Sequence, residues 1–204
     1  IKKILPIYNS DKNFISMFRK EARIGELLKH PNIVQIYKSG VFEDENYLSL
    51  EFIEGLTLRQ IESTYDKISK RPPIGFSLWI MAEVLRGLHY AHNLHTPTGH
   101  FLGVVHRDIS PQNIMINYSG VSKILDFGIV KETESTVQTE MGVVKGKKGF
   151  MSPEQARGHK IDHRSDIFSV GLILARLLSG LSLIDYRSEV IQLFREDFSV
   201  HCKN

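Results

Sequence analysis

Residues 105–128 read VHRDISPQNIMINYSGVSKILDFG, and the interpretation of the whole chain begins from this stretch. It contains an H-R-D-x-x-x-x-N pattern from His106 to Asn113, and a D-F-G that begins eighteen residues after Asp108. A single Asp in a loop is more often a turn former or a helix cap than a catalytic group, so neither motif is decisive alone. Their order and spacing, together with the segments on either side, are more informative than either motif alone.

Four further segments lie around this stretch in a recognisable order. They are FRKEARIGELLKHPNIV at 18–34, YLSLEFIEGLTL at 47–58, FMSPEQARG at 150–158 and RSDIFSVGLILARLLSG at 164–180. Together with the two central motifs they resemble the Ser/Thr protein kinase family, and they are most similar to the eukaryotic-like kinases of bacteria. The resemblance covers nearly the whole chain, with Ser152 in place of the Ala of the A-P-E signature.

The resemblance implies an α+β fold of the bilobal protein-kinase type. Residues 1–53 are expected to form a partial small lobe, made of β strands and the αC helix, and to end in the hinge. Residues 54–204 are expected to form an incomplete, mostly helical large lobe. The chain opens inside the strand that carries the family's nucleotide lysine and ends before the last helices of the large lobe, so we expect 1–204 to be a kinase domain fragment truncated at both ends.

The composition is that of an ordinary globular chain. Of its 204 residues 42% are hydrophobic and 24% are charged, which is enough to bury a core. The net charge of +3 is too balanced to indicate a nucleic-acid or lipid surface. Cys202 is the single cysteine, which excludes an internal disulfide and favours a cytoplasmic location. The most apolar run, at 170–178, is too short to cross a bilayer.

Hydrophobic periodicity and turn residues predict the elements that carry the motifs. In chain order they are a helix over 11–29, strands over 33–38 and 47–53 joined by a turn at 43–46, a helix from Phe76 to His95 and a surface loop over 95–103. Ser10 or Asp11 is available as the first helix's N-cap, and Pro31 would end that helix. Three histidines recur at every third position up to His95, but no acidic or cysteine partner accompanies them, so metal binding is disfavoured.

In the kinase mechanism that the resemblance implies, phosphoryl transfer needs a base and a magnesium site. Asp108 would face the acceptor hydroxyl and take its proton, while Asn113 and Asp126 would hold Mg²⁺ against the phosphates of ATP. Arg107 would meet a phosphate on the activation segment, which is expected to span 126–154. The acceptor would be a Ser or Thr hydroxyl of a protein substrate.

The nucleotide site is also assigned by resemblance. Lys2 would pair with Glu21 of the first helix and grip the α and β phosphates of ATP; the alternative is a solvated surface lysine. Leu50 would guard the back of the adenine pocket, and the backbone of Glu51 and Ile53 would bond the adenine edge. Met115 would complete the nucleotide contacts. For the strand that contains Leu50, an ordinary buried strand fits the composition equally well.

Two residues depart from the family pattern, and we hypothesise that the changes are coupled. Ser110 stands where Ser/Thr kinases usually have Lys, and Lys147 stands where they usually have Thr. In the family those two side chains meet beside the transferred phosphate. Lys147 would then supply the positive charge that position 110 lacks. The alternative is independent drift at the two positions.

Five more residues have structural roles implied by the resemblance. His106 and Phe127 would stack in the apolar spine of an active kinase, and Gly25, smaller than the usual spine residue, would loosen the first helix. Asp166 would tie the catalytic loop to the long helix, and Glu154 would pair with an arginine that this chain lacks. Candidate phosphorylation sites are Thr133, Ser135, Thr136 and Thr139.

Three other functions stay open at the level of the sequence. A pseudokinase or scaffold would keep the fold for binding nucleotide or partners, but the catalytic residue types are intact. A small-molecule phosphotransferase would share the small lobe and the paired Asp residues, but such enzymes generally lack an A-P-E segment. A degraded remnant that does not fold alone is the third alternative.

Overall fold

The computed structural model describes residues 1–4, 11–127 and 148–180. The strands in these ranges are β1 (Lys2–Lys3), β2 (Ile36–Phe42), β3 (Glu45–Leu50), β4 (Gly55–Thr57), β5 (Ile114–Asn117) and β6 (Ser122–Ile124). The helices are α1 (Lys12–Leu27), α2 (Leu58–Lys67), α3 (Ile74–His92), α4 (Pro153–Ala156) and α5 (His163–Ser179). Short 3₁₀ turns lie at Pro111–Asn113 and Lys148–Phe150.

The first sheet has the strand order β1-β3-β2 and is antiparallel throughout. Lys2 of β1 lies opposite Leu48 of β3, which fixes where the lysine enters the sheet. The turn between β2 and β3 is tighter than the four residues predicted, because Glu43 and Asp44 alone make it, with φ of 48° and 61°. Two central residues with positive φ match the right-handed twist of a hairpin.

Helix α1 begins and ends close to the predicted bounds. The side chain of its N-cap, Asp11, accepts hydrogen bonds from the backbone N–H groups of Asn13 and Phe14, which satisfies donors that the first turn leaves open. The helix ends at Leu27, two residues before the predicted end. Its buried face consists of Phe18, Glu21, Ala22 and Gly25. This face covers the first sheet and places one acid, Glu21, in an otherwise apolar stripe.

The second sheet has the strand order β4-β5-β6. The segment between α1 and β2 forms backbone hydrogen bonds to its edge strand, β6. The Ile124 N–H donates to the Asn32 carbonyl at 2.8 Å, and the Val34 N–H donates to the Ile124 carbonyl at 2.9 Å. The prediction of a strand beginning at residue 33 was therefore wrong in detail. Residues 32–34 bond to β6, and the β2–β3 ladder begins only at Ile36.

Helices α3 and α5 form the main core. The sequence predicts an apolar repeat at Phe76, Ile80, Val84, Leu88 and Ala91 of α3. The last four are 0% exposed and Phe76 is half-buried, so the repeat forms the inward face of the helix. Helix α3 ends at His92, three residues before the predicted end. Helix α5 is the predicted long buried helix, and Gly180 ends it in the left-handed conformation. Among the described residues, no helix is both long enough and apolar enough to span a bilayer.

Candidate active site

Asp166 of α5 binds the backbone of the loop that contains the H-R-D motif. Its carboxylate accepts hydrogen bonds from the backbone N–H groups of His106 and Arg107, each at 2.8 Å, as the resemblance implied. His92 Nε2 lies 2.8 Å from the same carboxylate. Asp166 is 1% exposed, so these donors satisfy a buried charge. Arg107 adopts φ of 66°, a left-handed conformation that such bonds must stabilise.

His106 joins the catalytic loop to the strand that ends at Asp126. Its Nδ1 accepts a hydrogen bond from the Asp108 N–H at 3.2 Å, so the proton lies on Nε2, which donates to the Leu125 carbonyl at 2.7 Å. Burial lowers the pKa of His106, which keeps the ring neutral. The ring packs against Phe127, with centroids 4.7 Å apart and the two planes tilted by 55°. The predicted contact between these two residues is therefore present.

Asn113 orients the carboxylate of Asp108. Its Nδ2 donates to the Asp108 backbone carbonyl at 2.8 Å and to the Asp108 carboxylate at 3.1 Å. Because both partners are acceptors, the amide nitrogen must face Asp108, and Oδ1 faces away from it. The Leu125 N–H donates to the Asn113 carbonyl at 2.9 Å, which ties this turn to the residue before Asp126.

Lys2 bridges two acids that are distant in sequence. Its Nζ lies 2.9 Å from Asp126 Oδ1 and 3.4 Å from Glu21 Oε1. Burial opposes protonation of Lys2, but the two carboxylates outweigh it and raise the pKa of Lys2. Burial raises the pKa of Glu21, although the positive charge of Lys2 acts in the opposite direction. Lys3 pairs instead with Glu45 at 2.6 Å, so the contacts agree with choosing Lys2 over Lys3.

The predicted magnesium ligands, Asn113 and Asp126, offer an amide oxygen and a carboxylate, both hard oxygen donors. Asp126 is exposed and has φ of 44°, a conformation that is uncommon outside glycine and frequent at functional sites. In the described part of the chain, no three His, Cys, Asp or Glu side chains cluster as a metal site. This donor set fits Mg²⁺, which is commonly held by one or two protein groups together with substrate phosphates.

Three of the predicted adenine-site residues, Leu50, Glu51 and Ile53, lie at or just after the end of β3, whereas Met115 lies in β5. Leu50 ends β3 and lines a cavity of about 20 Å³ with Glu21 and Phe127. The Glu51 N–H donates to the Gln35 carbonyl at 2.8 Å, so its own carbonyl is the group left to meet a ligand. The two remaining predicted residues are half-buried: Ile53 between the sheets and Met115 in β5.

A contact of Glu51 was missed at the level of the sequence. Its carboxylate pairs with Lys123 of β6 at 2.9 Å and accepts a hydrogen bond from the Gln35 N–H at 3.1 Å. Both partners are distant in sequence, so no local pattern could reveal them. The pair fixes the first residue after β3 to the second sheet.

Ser110 and Lys147 were predicted to act together, and the structure describes only the first. Ser110 is 1% exposed, and its Oγ has no hydrogen-bond partner among the described residues. Its carbonyl accepts the Asn113 N–H at 2.9 Å, which closes the turn that holds Asn113. Lys147 lies outside the described residues, as do the candidate phosphorylation sites Thr133, Ser135, Thr136 and Thr139.

The S-P-E-Q segment forms a second support for the catalytic loop. Ser152 is the N-cap of α4 in a capping box with Gln155, which explains a serine where the family has alanine. Gln155 Nε2 also donates to the Arg107 carbonyl at 2.8 Å. The S-x-x-Q spacing could have predicted the capping box. Glu154 was expected to pair with an arginine that this chain lacks. In the structure its carboxylate accepts a hydrogen bond from Ser165 Oγ.

The three evenly spaced histidines have separate environments. His92 points inward, with its side chain 9% exposed, and is paired with Asp166. His89 is exposed, and its Nδ1 lies 3.4 Å from Asn93 Nδ2. His95 Nδ1 lies 2.8 Å from the Asn93 carbonyl. Helical spacing therefore does not gather these imidazoles into one site.

The fold and the site define a protein kinase domain. The family described as "Protein kinase domain" matches residues 1–201, and the chain belongs to that family. It is 42% identical over 179 residues to "Tyrosine-protein kinase MasK" of Myxococcus xanthus, covering 88% of this chain and 28% of that protein. It is 36% identical over 183 residues to "Serine/threonine-protein kinase PrkC" of Bacillus subtilis, covering 90% and 26%. The chain thus spans about a quarter of the length of these relatives.

Among solved structures, the chain is similar to the kinase domain of Mycobacterium tuberculosis PknI. The TM-score is 0.63 at 24% sequence identity, with 86% of this chain and 61% of that chain covered. At this identity the likeness establishes the fold alone. The predicted α+β protein-kinase fold, with strands in a small lobe and helices beyond it, is confirmed.

Proposed function

We propose that this chain is the catalytic part of a protein serine/threonine kinase, which transfers the γ-phosphoryl group of ATP to Ser or Thr hydroxyls of proteins. The observation that carries the proposal is the joining of Lys2, Glu21 and Asp126 by ion pairs, beside a loop in which Asn113 orients Asp108. The similarity to "Serine/threonine-protein kinase PrkC" supports Ser and Thr as the acceptor class. Residues 1–53 and 54–204 are proposed as the two lobes.

In the proposed mechanism the protein contributes mainly position and charge. Asp108 accepts the proton of the attacking hydroxyl, and the Asn113 amide keeps its carboxylate in one orientation. Lys2 binds the α and β phosphates. Asn113 and Asp126 would hold Mg²⁺, which would supply positive charge against the phosphates. The backbone of Glu51 and Ile53 binds adenine, with Leu50 and Met115 as its apolar walls.

Arg107, Ser110 and Lys147 are proposed to act around this centre. Arg107 meets a phosphate on the activation segment, and Lys147 supplies the charge that Ser110 does not. The partner is a protein that presents a hydroxyl side chain, and the proposed location is the cytoplasm, where ATP is available. A pseudokinase is disfavoured, because the ion pairs and hydrogen bonds among the catalytic residue types are intact.

Tyrosine is a second candidate acceptor, favoured by one observation. The relative with 42% identity is named a tyrosine-protein kinase, whereas the relative named PrkC shares 36%. The test is transfer of labelled γ-phosphate from Mg-ATP to three peptides that differ only in a central Ser, Thr or Tyr. The proposal expects Ser and Thr to be labelled, and expects Asp108→Asn to abolish the labelling. Labelling of the Tyr peptide alone would replace the serine/threonine assignment.

A further inference from the structure

A polar cavity of about 510 Å³ lies between α2, the segment that follows it and the end of α5. Its volume is within the range of about 300–1,000 Å³ that is usual for ligand sites in proteins. Charged side chains line it, and the cations outnumber the acids. They are Arg59, Glu62, Asp66, Lys70, Arg71 and Arg176.

Glu62 holds two of the arginines in place. One of its carboxylate oxygens lies 3.2 Å from Arg176 Nε, and the other lies 3.5 Å from Arg59 Nη1. The Glu62 side chain is only 5% accessible, so the two guanidinium groups compensate a buried charge. Together these two groups have more N–H donors than one carboxylate can accept, so they keep donors for a second anion.

Arg71 offsets the negative end of α5. Its Nη1 donates to the Leu178 carbonyl at 3.0 Å, in the last turn of the helix. Gly180 leaves room for this contact, because a Cβ there would lie 2.6 Å from Arg71 Cζ. The partial negative charge of a helix C-terminus would otherwise repel an anion, and Arg71 counteracts it.

Two helices connect the cavity to the catalytic loop. Helix α2 packs against the Pro111–Asn113 turn. Along α5, Arg176 lies ten residues after Asp166, which is about 15 Å at the rise of a helix. An extended peptide spans that distance with about five residues. A peptide that presents its hydroxyl to Asp108 can therefore reach the cavity with a side chain a few positions away.

We propose that this cavity binds an acidic side chain of the protein substrate, with Arg59, Lys70 and Arg176 as its cationic contacts. The inference deepens the proposed function, on which it rests for the presence of a peptide at Asp108. It assigns a substrate class, namely proteins with an anionic residue near the acceptor hydroxyl. Asp66, exposed one turn after Glu62, offsets part of the positive charge and so favours one anion over a highly acidic run.

The test is γ-phosphoryl transfer to peptides with one acceptor serine and a single variable residue about three to six positions from it, on either side. The variable residue is Asp, phosphoserine or Gln. We expect kcat/KM to be about tenfold higher for the best Asp peptide than for its Gln counterpart, which is the size of one charge-assisted hydrogen bond. A further gain with phosphoserine would support the same anion site and assign it to a phosphorylated substrate.

Arg59→Gln, Lys70→Gln and the double variant should each lower the Asp-to-Gln ratio of kcat/KM, and the double variant should bring it within about twofold of unity. The matched control is Lys67→Gln, which removes the same charge from an exposed lysine of α2 that does not line the cavity. Its ratio should equal that of the parent. An equal fall in Lys67→Gln would indicate a general charge effect and contradict the site. Because the readout is a ratio, loss of folded protein does not change it.

The same peptides separate this inference from the proposed function. Equal rates on Asp and Gln peptides would overturn the inference and leave the proposed function intact. If the parent transfers no phosphate to any peptide, the proposed function fails, and fluorescence anisotropy with labelled Asp peptides decides the cavity. Binding that Lys70→Gln weakens and Lys67→Gln does not would support the site, whereas absence of binding would refute it.

Discussion

The ammonium of Lys2 lies closer to Asp126, at 2.9 Å, than to Glu21, at 3.4 Å. One cation therefore joins helix α1 to the residue that precedes Phe127. The carboxylate of Asp126 is half exposed, with 53% of its side chain accessible, whereas only 11% of Glu21 is accessible. Under the proposed function, a phosphate would compete with Asp126 for Lys2 and its cation would compete with Lys2 for Asp126, while the pair with Glu21 would keep Lys2 in place.

Replacing Lys2 by Met should lower kcat/KM by about 10²-fold or more, because the variant removes a charge placed where phosphate charge must be stabilised. The matched control is Lys3→Met on the same strand, whose partner Glu45 lies away from the site. An exposed ion pair of this kind contributes little to stability, so kcat/KM of Lys3→Met should remain within about threefold of the parent value. Equal losses in the two variants would contradict the assignment of Lys2.

Replacing Asp166 by Asn should destabilise the protein, because an amide offers one acceptor oxygen where the carboxylate satisfies two backbone donors. An unsatisfied buried donor costs about 1–3 kcal/mol, which is the expected fall in the free energy of unfolding. Chemical denaturation measures it. Asp162→Asn is the control, because Asn caps a helix about as well as Asp. A loss as large at position 162 would argue against a special role for Asp166.

Stability should fall as the pH drops below about 6.5, and His106 should be one cause. Its pKa is lowered in the folded protein, so between the folded and unfolded values the unfolded chain binds more protons. The slope attributable to one such group is at most about 1.4 kcal/mol per pH unit. His106→Phe should flatten the pH dependence of the free energy of unfolding, whereas the exposed control His100→Phe should not. Identical slopes in both variants would rule out this role.

The proposed coupling of Ser110 and Lys147 predicts that the double variant restores activity. Ser110→Lys and Lys147→Thr should each lower kcat/KM, the first by crowding like charges and the second by removing the only ammonium of the pair. The double variant restores one ammonium and should be more active than the worse single variant. A double variant no better than that single one would favour independent drift.

Local sequence signals predicted the local structure well. The sequence offered Ser10 or Asp11 as the N-cap of α1, and the structure selects Asp11, because caps depend on one or two neighbouring residues. The start of β2 was misplaced, since residues 32–34 satisfy their backbone through Ile124, about ninety residues away. Periodicity carries no information about such a partner.

The candidate site also contains features that local sequence predicts and features that depend on distant residues. The residue types at Asp108, Asn113 and Asp126 were readable from motif spacing. Two contacts depend on the distance between separate elements, which no motif encodes. They are the ion pair of Lys2 with Asp126 and the packing of Ile36 against Gly25. The sequence marked Gly25 as small, but it could not show that Ile36 of the first sheet lies where a side chain at position 25 would begin.

The most direct test of the central claim is the rate of γ-phosphoryl transfer from Mg-ATP to a Ser/Thr substrate, measured beside Mg-ATP affinity for the parent protein and Asp108→Asn. We expect transfer by the parent, loss of transfer in Asp108→Asn by about 10²-fold or more, and similar Mg-ATP affinity in both. Tight Mg-ATP binding without transfer by the folded parent would contradict the account and identify a pseudokinase.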